Sequence, residues 1–128
     1  MTNRVIVCDD EAHITRAISM KLSKAGLTVQ WAADGQAGWE LIQRERPDVV
    51  ITDFQMPRLN GLDLIRRMRE CEQTRDIPVL LLTAKGFEVD EDELRRELDI
   101  AGVVVKPFSP RELLKQVQTL VETARTEA

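Results

Sequence analysis

The feature that most constrains the fold is a fivefold alternation of short apolar runs with longer segments of helical periodicity. Runs rich in β-branched residues, such as residues 5–8 and 49–52, are typical of strands covered on both faces in a parallel sheet. Between the runs, apolar residues recur at steps of three and four, the spacing of one helix face. Strict alternation of this kind predicts a doubly wound α/β fold, with right-handed crossovers and helices on both faces of a parallel sheet.

The strand and helix boundaries follow from turn and cap signals. We predict strands over residues 5–8, 28–32, 49–52, 79–82 and 103–105. Gly26 ends the first helix and Pro47 ends the second. Residues 109–112 form a capping box with proline at the first helical position, which begins the fifth helix. The fourth helix is the least regular, because residues 88–93 are mostly acidic and the apolar stripe comes later.

Length and charge narrow the class of protein. The 128 residues predict a single domain, residues 1–128, whose C-terminus frays from about residue 123. A net charge of -4 argues against nucleic acid or anionic lipid as the partner. No apolar run approaches the ~20 residues that span a bilayer, and no secretory signal opens the chain, so we expect a cytoplasmic location. Cys8 and Cys71 lack the spacing of a zinc site, and we expect no disulfide.

Polar residues follow four of the five predicted strands. Asp9 and Asp10 follow the first strand, Asp53 the third, Thr83 the fourth and Lys106 the fifth. The carboxyl ends of parallel strands lie on one edge of the sheet, where open α/β folds bind ligands. We therefore expect these five side chains to converge in space.

The expected cluster suits phosphoryl chemistry. Three carboxylates repel one another unless a cation binds, and oxygen ligands suit a hard ion such as Mg²⁺. A lysine and a threonine hydroxyl add a fixed positive charge and a neutral donor for phosphoryl oxygens. Asp53 is then the candidate nucleophile, because a carboxylate can attack phosphorus to form an acyl phosphate.

With these residues in place, the chain resembles the receiver domain of bacterial two-component response regulators. That family has a flavodoxin-like (βα)5 fold with the strand order 2-1-3-4-5. The matching segments are in the usual order and close to the usual spacing: residues 5–11, 53–57, 60–61, 83–84 and 106–108.

The resemblance implies a role for each site residue. Asp53 would accept a phosphoryl group from a phosphohistidine on a sensor histidine kinase or a histidine phosphotransfer protein. Mg²⁺ would be bound by Asp10, Asp53 and the backbone carbonyl of Gln55, with Asp9 acting largely through water. The downstream partner is unknown, and we expect a monomer or weak dimer.

The phosphoryl-binding residues also follow from the resemblance. Thr83 and the Ala84 amide would bind phosphoryl oxygens, and Lys106 would pair with one of them. The peptide bond between Lys106 and Pro107 would be cis. Gln55 and Lys85 flank the site and would tune how long the phosphoryl group survives.

One position departs from the family pattern. Receivers usually carry Tyr or Phe three residues before the lysine, and its ring moves inward when the threonine engages the phosphoryl group. Val103 occupies that position here and cannot make the same movement. We therefore expect a muted conformational change, or one routed through the loop between Ala84 and Asp90.

Three other functions remain open from the sequence. A receiver excised from a longer regulator would look the same, and a pseudo-receiver would fold alike without being phosphorylated. An aspartate-nucleophile phosphatase of the haloacid dehalogenase type carries an acidic residue two positions after the nucleophile. This chain has Gln55 there, which argues against that alternative. His13 is disfavoured as a phosphohistidine, because no helical hairpin surrounds it.

Overall fold

The computed structural model describes residues 3–84 and 90–127. In this part of the chain, strands and helices alternate strictly. The strands are β1 (Arg4–Cys8), β2 (Thr28–Ala32), β3 (Val49–Asp53), β4 (Val79–Ala84) and β5 (Gly102–Lys106). The helices are α1 (Ala12–Lys24), α2 (Gly35–Arg44), α3 (Gly61–Glu70), α4 (Glu91–Leu98) and α5 (Pro110–Glu127).

The sheet confirms the predicted fold class. Its five strands are all parallel and lie in the order 2-1-3-4-5. The first two strands end where predicted, but the predicted third, fourth and fifth strands were too short at their carboxyl ends, because ladder pairing continues through the polar residues. Asp53 pairs in register with Leu82, and Ala84 pairs with Lys106. Asp53 and Lys106 are thus the last residues of β3 and β5, and Thr83 is the residue before the last of β4, so the sheet itself holds all three.

Two apolar layers cover the sheet. On one face, β-strand side chains such as Val50 and Leu81 pack against α2, α3 and α4. On the other, Ile51 and Leu82 pack against α1 and α5. Burial of both faces explains why the strands read as continuous apolar runs rather than alternating ones. No helix within the described residues is both long and apolar enough to cross a bilayer.

The last two helices begin at side-chain caps. Asp90 accepts a hydrogen bond from the Glu93 amide at 3.0 Å and so starts α4. The Ser109 hydroxyl accepts a longer bond, 3.4 Å, from the Glu112 amide at the predicted capping box.

Lys85 and the rest of the segment expected to carry a conformational change, residues 85–89, lie outside the described residues. The fraying expected from about residue 123 stays a prediction.

Gly61 brings the start of α3 against the end of β3. Its amide donates to the Phe54 carbonyl at 2.9 Å, and Asn60 caps the helix by accepting from the Asp63 amide, also at 2.9 Å. A β-carbon on Gly61 would overlap the backbone carbonyl oxygen of Asp53. The absence of a side chain at Gly61 therefore helps to position the last residue of β3.

Gly61→Ala should destabilise the protein by about 1–3 kcal/mol, the usual penalty for overpacking a close contact. Urea unfolding measures the free energy of unfolding. Gly102→Ala is the matched control, because its β-carbon would meet Leu80 only at an ordinary contact distance of 3.4 Å. Equal stability of the two variants would contradict the close approach of α3 to β3.

Candidate functional site

The five polar side chains predicted to converge do lie together, at the carboxyl edge of the sheet. Most of them face a pocket of about 320 Å³. The pocket is lined by Asp10, Glu11, Asp53, Phe54, Gln55, Thr83, Ala84 and Lys106. The Lys106–Pro107 peptide bond that follows β5 is cis, as the resemblance implies.

Three carboxylates form the acidic part of the site. Asp9, Asp10 and Asp53 each offer an oxygen, and these oxygens lie within 4.8 Å of one another. Asp9 and Asp53 are buried, whereas Asp10 is exposed. Asp9 is fixed by its backbone, since its amide donates to the Ala32 carbonyl at 3.1 Å. A cluster of oxygen donors with one open side fits a hard divalent cation such as Mg²⁺.

Lys106 reaches into this cluster from the end of β5. Its Nζ lies 2.8 Å from Glu11 Oε1, 2.9 Å from Asp9 Oδ2 and 3.4 Å from Asp53 Oδ1. Burial acts to lower the pKa of Lys106, but its hydrogen bond to Glu11 and its contact with Asp9 outweigh that effect and raise the pKa. The ammonium therefore stays charged at neutral pH.

Asp53 is held in a poor environment for a negative charge. Burial and the nearby charge of Asp9 raise the pKa of Asp53 to about 6, against the opposing effect of Lys106. Among the described residues, the Lys106 ammonium does not fully offset the buried negative charge. Asp53 is still mostly ionised at neutral pH, the form in which a carboxylate is a nucleophile.

Thr83 presents a hydroxyl without a partner. Its Oγ1 is buried and makes no hydrogen bond within the described residues. Buried polar atoms nearly always form a hydrogen bond. A buried hydroxyl without one, on a residue that lines a pocket, therefore points to a ligand that binds in the pocket. Thr83 lines the same pocket as the Asp53 carboxylate and the Lys106 ammonium.

Sequence reasoning missed one residue of the pocket. Glu11 was seen only as part of a matching segment, yet its carboxylate is in the pocket and contacts Lys106. Its position next to Asp10 was the only available signal. His13 is exposed and does not line the pocket. Burial raises the pKa of Cys8 to about 12, so this thiol is an inert core group.

Comparison with known proteins identifies the family. Residues 5–118 match the family model described as "Response regulator receiver domain". The chain belongs to the response regulator receiver domain family. Receiver domains bind Mg²⁺ at an acidic pocket, and the carboxylate cluster of this receiver is of that kind.

Curated relatives of this receiver are longer regulators. "Phosphate regulon transcriptional regulatory protein PhoB" of Pseudomonas aeruginosa is 34% identical over 119 residues, covering 91% of this chain and 51% of that protein. "Alkaline phosphatase synthesis transcriptional regulatory protein PhoP" of Bacillus subtilis is 32% identical over 128 residues, covering 100% of this chain and 52% of that protein. The chain thus spans about half the length of these relatives.

A solved structure supports the same assignment. The chemotaxis protein CheY4 of Vibrio cholerae is 31% identical and superposes with a TM-score of 0.85, covering 94% of this receiver and 99% of that chain. Because almost all of CheY4 is matched, its fold corresponds to this receiver over nearly its whole length.

Asp53→Asn should stabilise the metal-free receiver at neutral pH. The folded protein binds the Asp53 proton more tightly than the unfolded chain does, so the stability of the parent falls as the pH rises from about 4 through about 6. Above that range the neutral variant should be more stable by about 1–3 kcal/mol, and near pH 4 the gap should close.

Thermal unfolding in EDTA at several pH values measures this gap. Asp76→Asn is the matched control, since it removes an exposed carboxylate at the opposite edge of the sheet and should change stability by less than about 0.5 kcal/mol. A gap that stays constant with pH would contradict the raised pKa of Asp53.

Proposed function

We propose that this receiver is a phosphoacceptor switch in which Asp53 accepts a phosphoryl group from a phosphohistidine. One observation carries the proposal: one pocket is lined by a buried carboxylate, a charged lysine and a threonine whose hydroxyl has no hydrogen-bond partner among the described residues. A nucleophile beside a cation and a neutral donor is the arrangement that phosphoryl transfer requires. Family membership supports the same role.

Mg²⁺ would be held by Asp10, Asp53 and the backbone carbonyl of Gln55, with Asp9 acting through water. Support comes from the three clustered carboxylates and from Gln55, which lines the pocket. When bound, the ion supplies neutralising charge for the carboxylates and for the phosphoryl oxygens.

In the transfer step, an Asp53 oxygen attacks phosphorus and forms an acyl phosphate. The phosphorus–nitrogen bond to the donor histidine breaks, and its electron pair stays on the imidazole nitrogen. Lys106 pairs with a phosphoryl oxygen, while the Thr83 hydroxyl and the Ala84 amide donate hydrogen bonds to the others. These donors offset negative charge that accumulates on the phosphoryl oxygens.

The wider role follows from the family. We propose that the phosphoryl donor is a sensor histidine kinase or a histidine phosphotransfer protein and that the output partner is a downstream protein. We also propose that residues 1–128 form one receiver domain that acts in the cytoplasm. The only reaction catalysed would be its own phosphorylation and dephosphorylation. Because the relatives are about twice as long, a receiver that belongs to a longer regulator is the second candidate.

Incubation with acetyl phosphate and Mg²⁺ should add one phosphoryl group per chain, measured by intact mass. Asp53→Asn should abolish the addition, and EDTA should strongly reduce it. The Asp76→Asn variant should label like the parent. Sustained release of phosphate would instead indicate a phosphatase, and no labelling of the parent would indicate a pseudo-receiver.

The switch should respond weakly around β5. Val103 is half-buried and packs against the core, so it has no large ring to swing inward. Backbone relaxation with and without beryllofluoride should show small changes in α4 and β5. Val103→Tyr is the comparison, and an equally large response in the parent and the variant would contradict this prediction.

A further inference from the structure

Glu11 occupies the N-cap of α1 but does not cap it. Its side chain makes no capping hydrogen bond. Helices prefer Ser, Thr, Asp or Asn at this position, because their short side chains reach the free amides of the first turn. The Glu11 carboxylate instead accepts a hydrogen bond from Lys106 at 2.8 Å, across 95 residues of sequence. Capping of α1 therefore does not explain the position of the Glu11 side chain.

Lys106 is held on the Glu11 side of the pocket. Charge-assisted N–H···O bonds are about 2.7–2.9 Å long, so the 2.8 Å contact with Glu11 is of full strength and the 3.4 Å separation from Asp53 is not. The Glu11 amide also donates to Asp9 Oδ1 at 2.9 Å, while Lys106 contacts Asp9 Oδ2. Glu11, Asp9 and Lys106 thus form a closed ring beside the acceptor carboxylate.

We propose that Glu11 is a positioning residue that holds the Lys106 ammonium away from Asp53 and so restrains phosphorylation. The inference rests on the proposed function, because Lys106 must exchange Glu11 for a phosphoryl oxygen when Asp53 is modified. A lysine can make this exchange, since its ammonium sits on a flexible stem. Glu11 can release it, since 47% of the Glu11 side chain is exposed and water can take over the carboxylate.

Repulsion of an anionic phosphodonor by Glu11 is a different explanation, and two variants separate it from restraint. Glu11→Gln keeps the length of the side chain but removes its charge, leaving only a weaker neutral hydrogen bond to Lys106. Glu11→Asp keeps the charge but is one methylene shorter, so it no longer reaches Lys106. If Glu11 restrains Lys106, both variants are phosphorylated faster than the parent. If Glu11 repels the phosphodonor, only Glu11→Gln is phosphorylated faster.

The experiment measures labelling rate against acetyl phosphate concentration, with saturating Mg²⁺. Both variants should raise the maximal rate roughly threefold to fivefold, the range expected for loss of a partly exposed ion pair, with little change in the half-saturating concentration. Glu45→Gln is the control, because Glu45 pairs with Arg4 at 3.5 Å at the opposite edge of the sheet. It changes net charge equally and should leave the rate unchanged.

A second measurement is independent of phosphorylation. In the Mg²⁺-loaded, unphosphorylated protein, NMR should show faster proton exchange of the Lys106 ammonium in both Glu11 variants than in the parent or in Glu45→Gln. Thermal unfolding confirms that each variant is folded.

Each outcome decides the inference. Faster labelling and faster ammonium exchange in both Glu11 variants support it. Faster labelling in Glu11→Gln alone, or in neither variant, overturns it. If the parent is not labelled at all, the proposed function fails, and restraint of phosphorylation fails with it. The NMR result then shows separately whether Glu11 holds Lys106.

Discussion

The site depends on the burial of negative charge at one edge of the sheet. Asp9 and Asp53 are almost fully buried, and among the described residues the Lys106 ammonium lies 2.9 Å from Asp9 and 3.4 Å from Asp53. Burying a charge is costly unless it is paired, and removing one partner of a buried pair leaves the other uncompensated. The ends of β1, β3 and β5 are therefore tied together by electrostatics as well as by the sheet ladder.

Much of the fold could be predicted from the sequence because apolar runs recur regularly along it. The central residues of the site could be predicted because they follow these runs. Buried parallel strands need continuous apolar runs, so the first polar residue after each run marks the edge of the sheet where ligands bind. Asp53, Thr83 and Lys106 were found in that way. The carboxyl ends of β3, β4 and β5 were placed one or two residues too early, because backbone pairing does not stop where apolar side chains stop.

The remaining features depend on side-chain direction and on close approach, which no local pattern encodes. Glu11 looks like an unremarkable acid at the start of a helix, and only the coordinates show that it reaches Lys106 rather than the first turn. Gly61 reads as a turn residue, yet its contact with the Asp53 carbonyl depends on how α3 lies against β3. Long-range packing sets both contacts.

The buried negative charge and the unbonded hydroxyl that lower the stability of the protein also favour ligand binding at the site. The buried charge that raises the pKa of Asp53, and the Thr83 hydroxyl, which has no hydrogen-bond partner among the described residues, both cost stability. A cation held by the clustered carboxylates would relieve the first of these costs only in the folded protein, so cation binding should stabilise the fold. Because Lys106 is shared by Glu11, Asp9 and Asp53, any ligand that draws it toward one carboxylate weakens its hold on the others. Under the proposed function, phosphorylation of Asp53 would therefore be coupled to the start of α1 through the Lys106 ammonium.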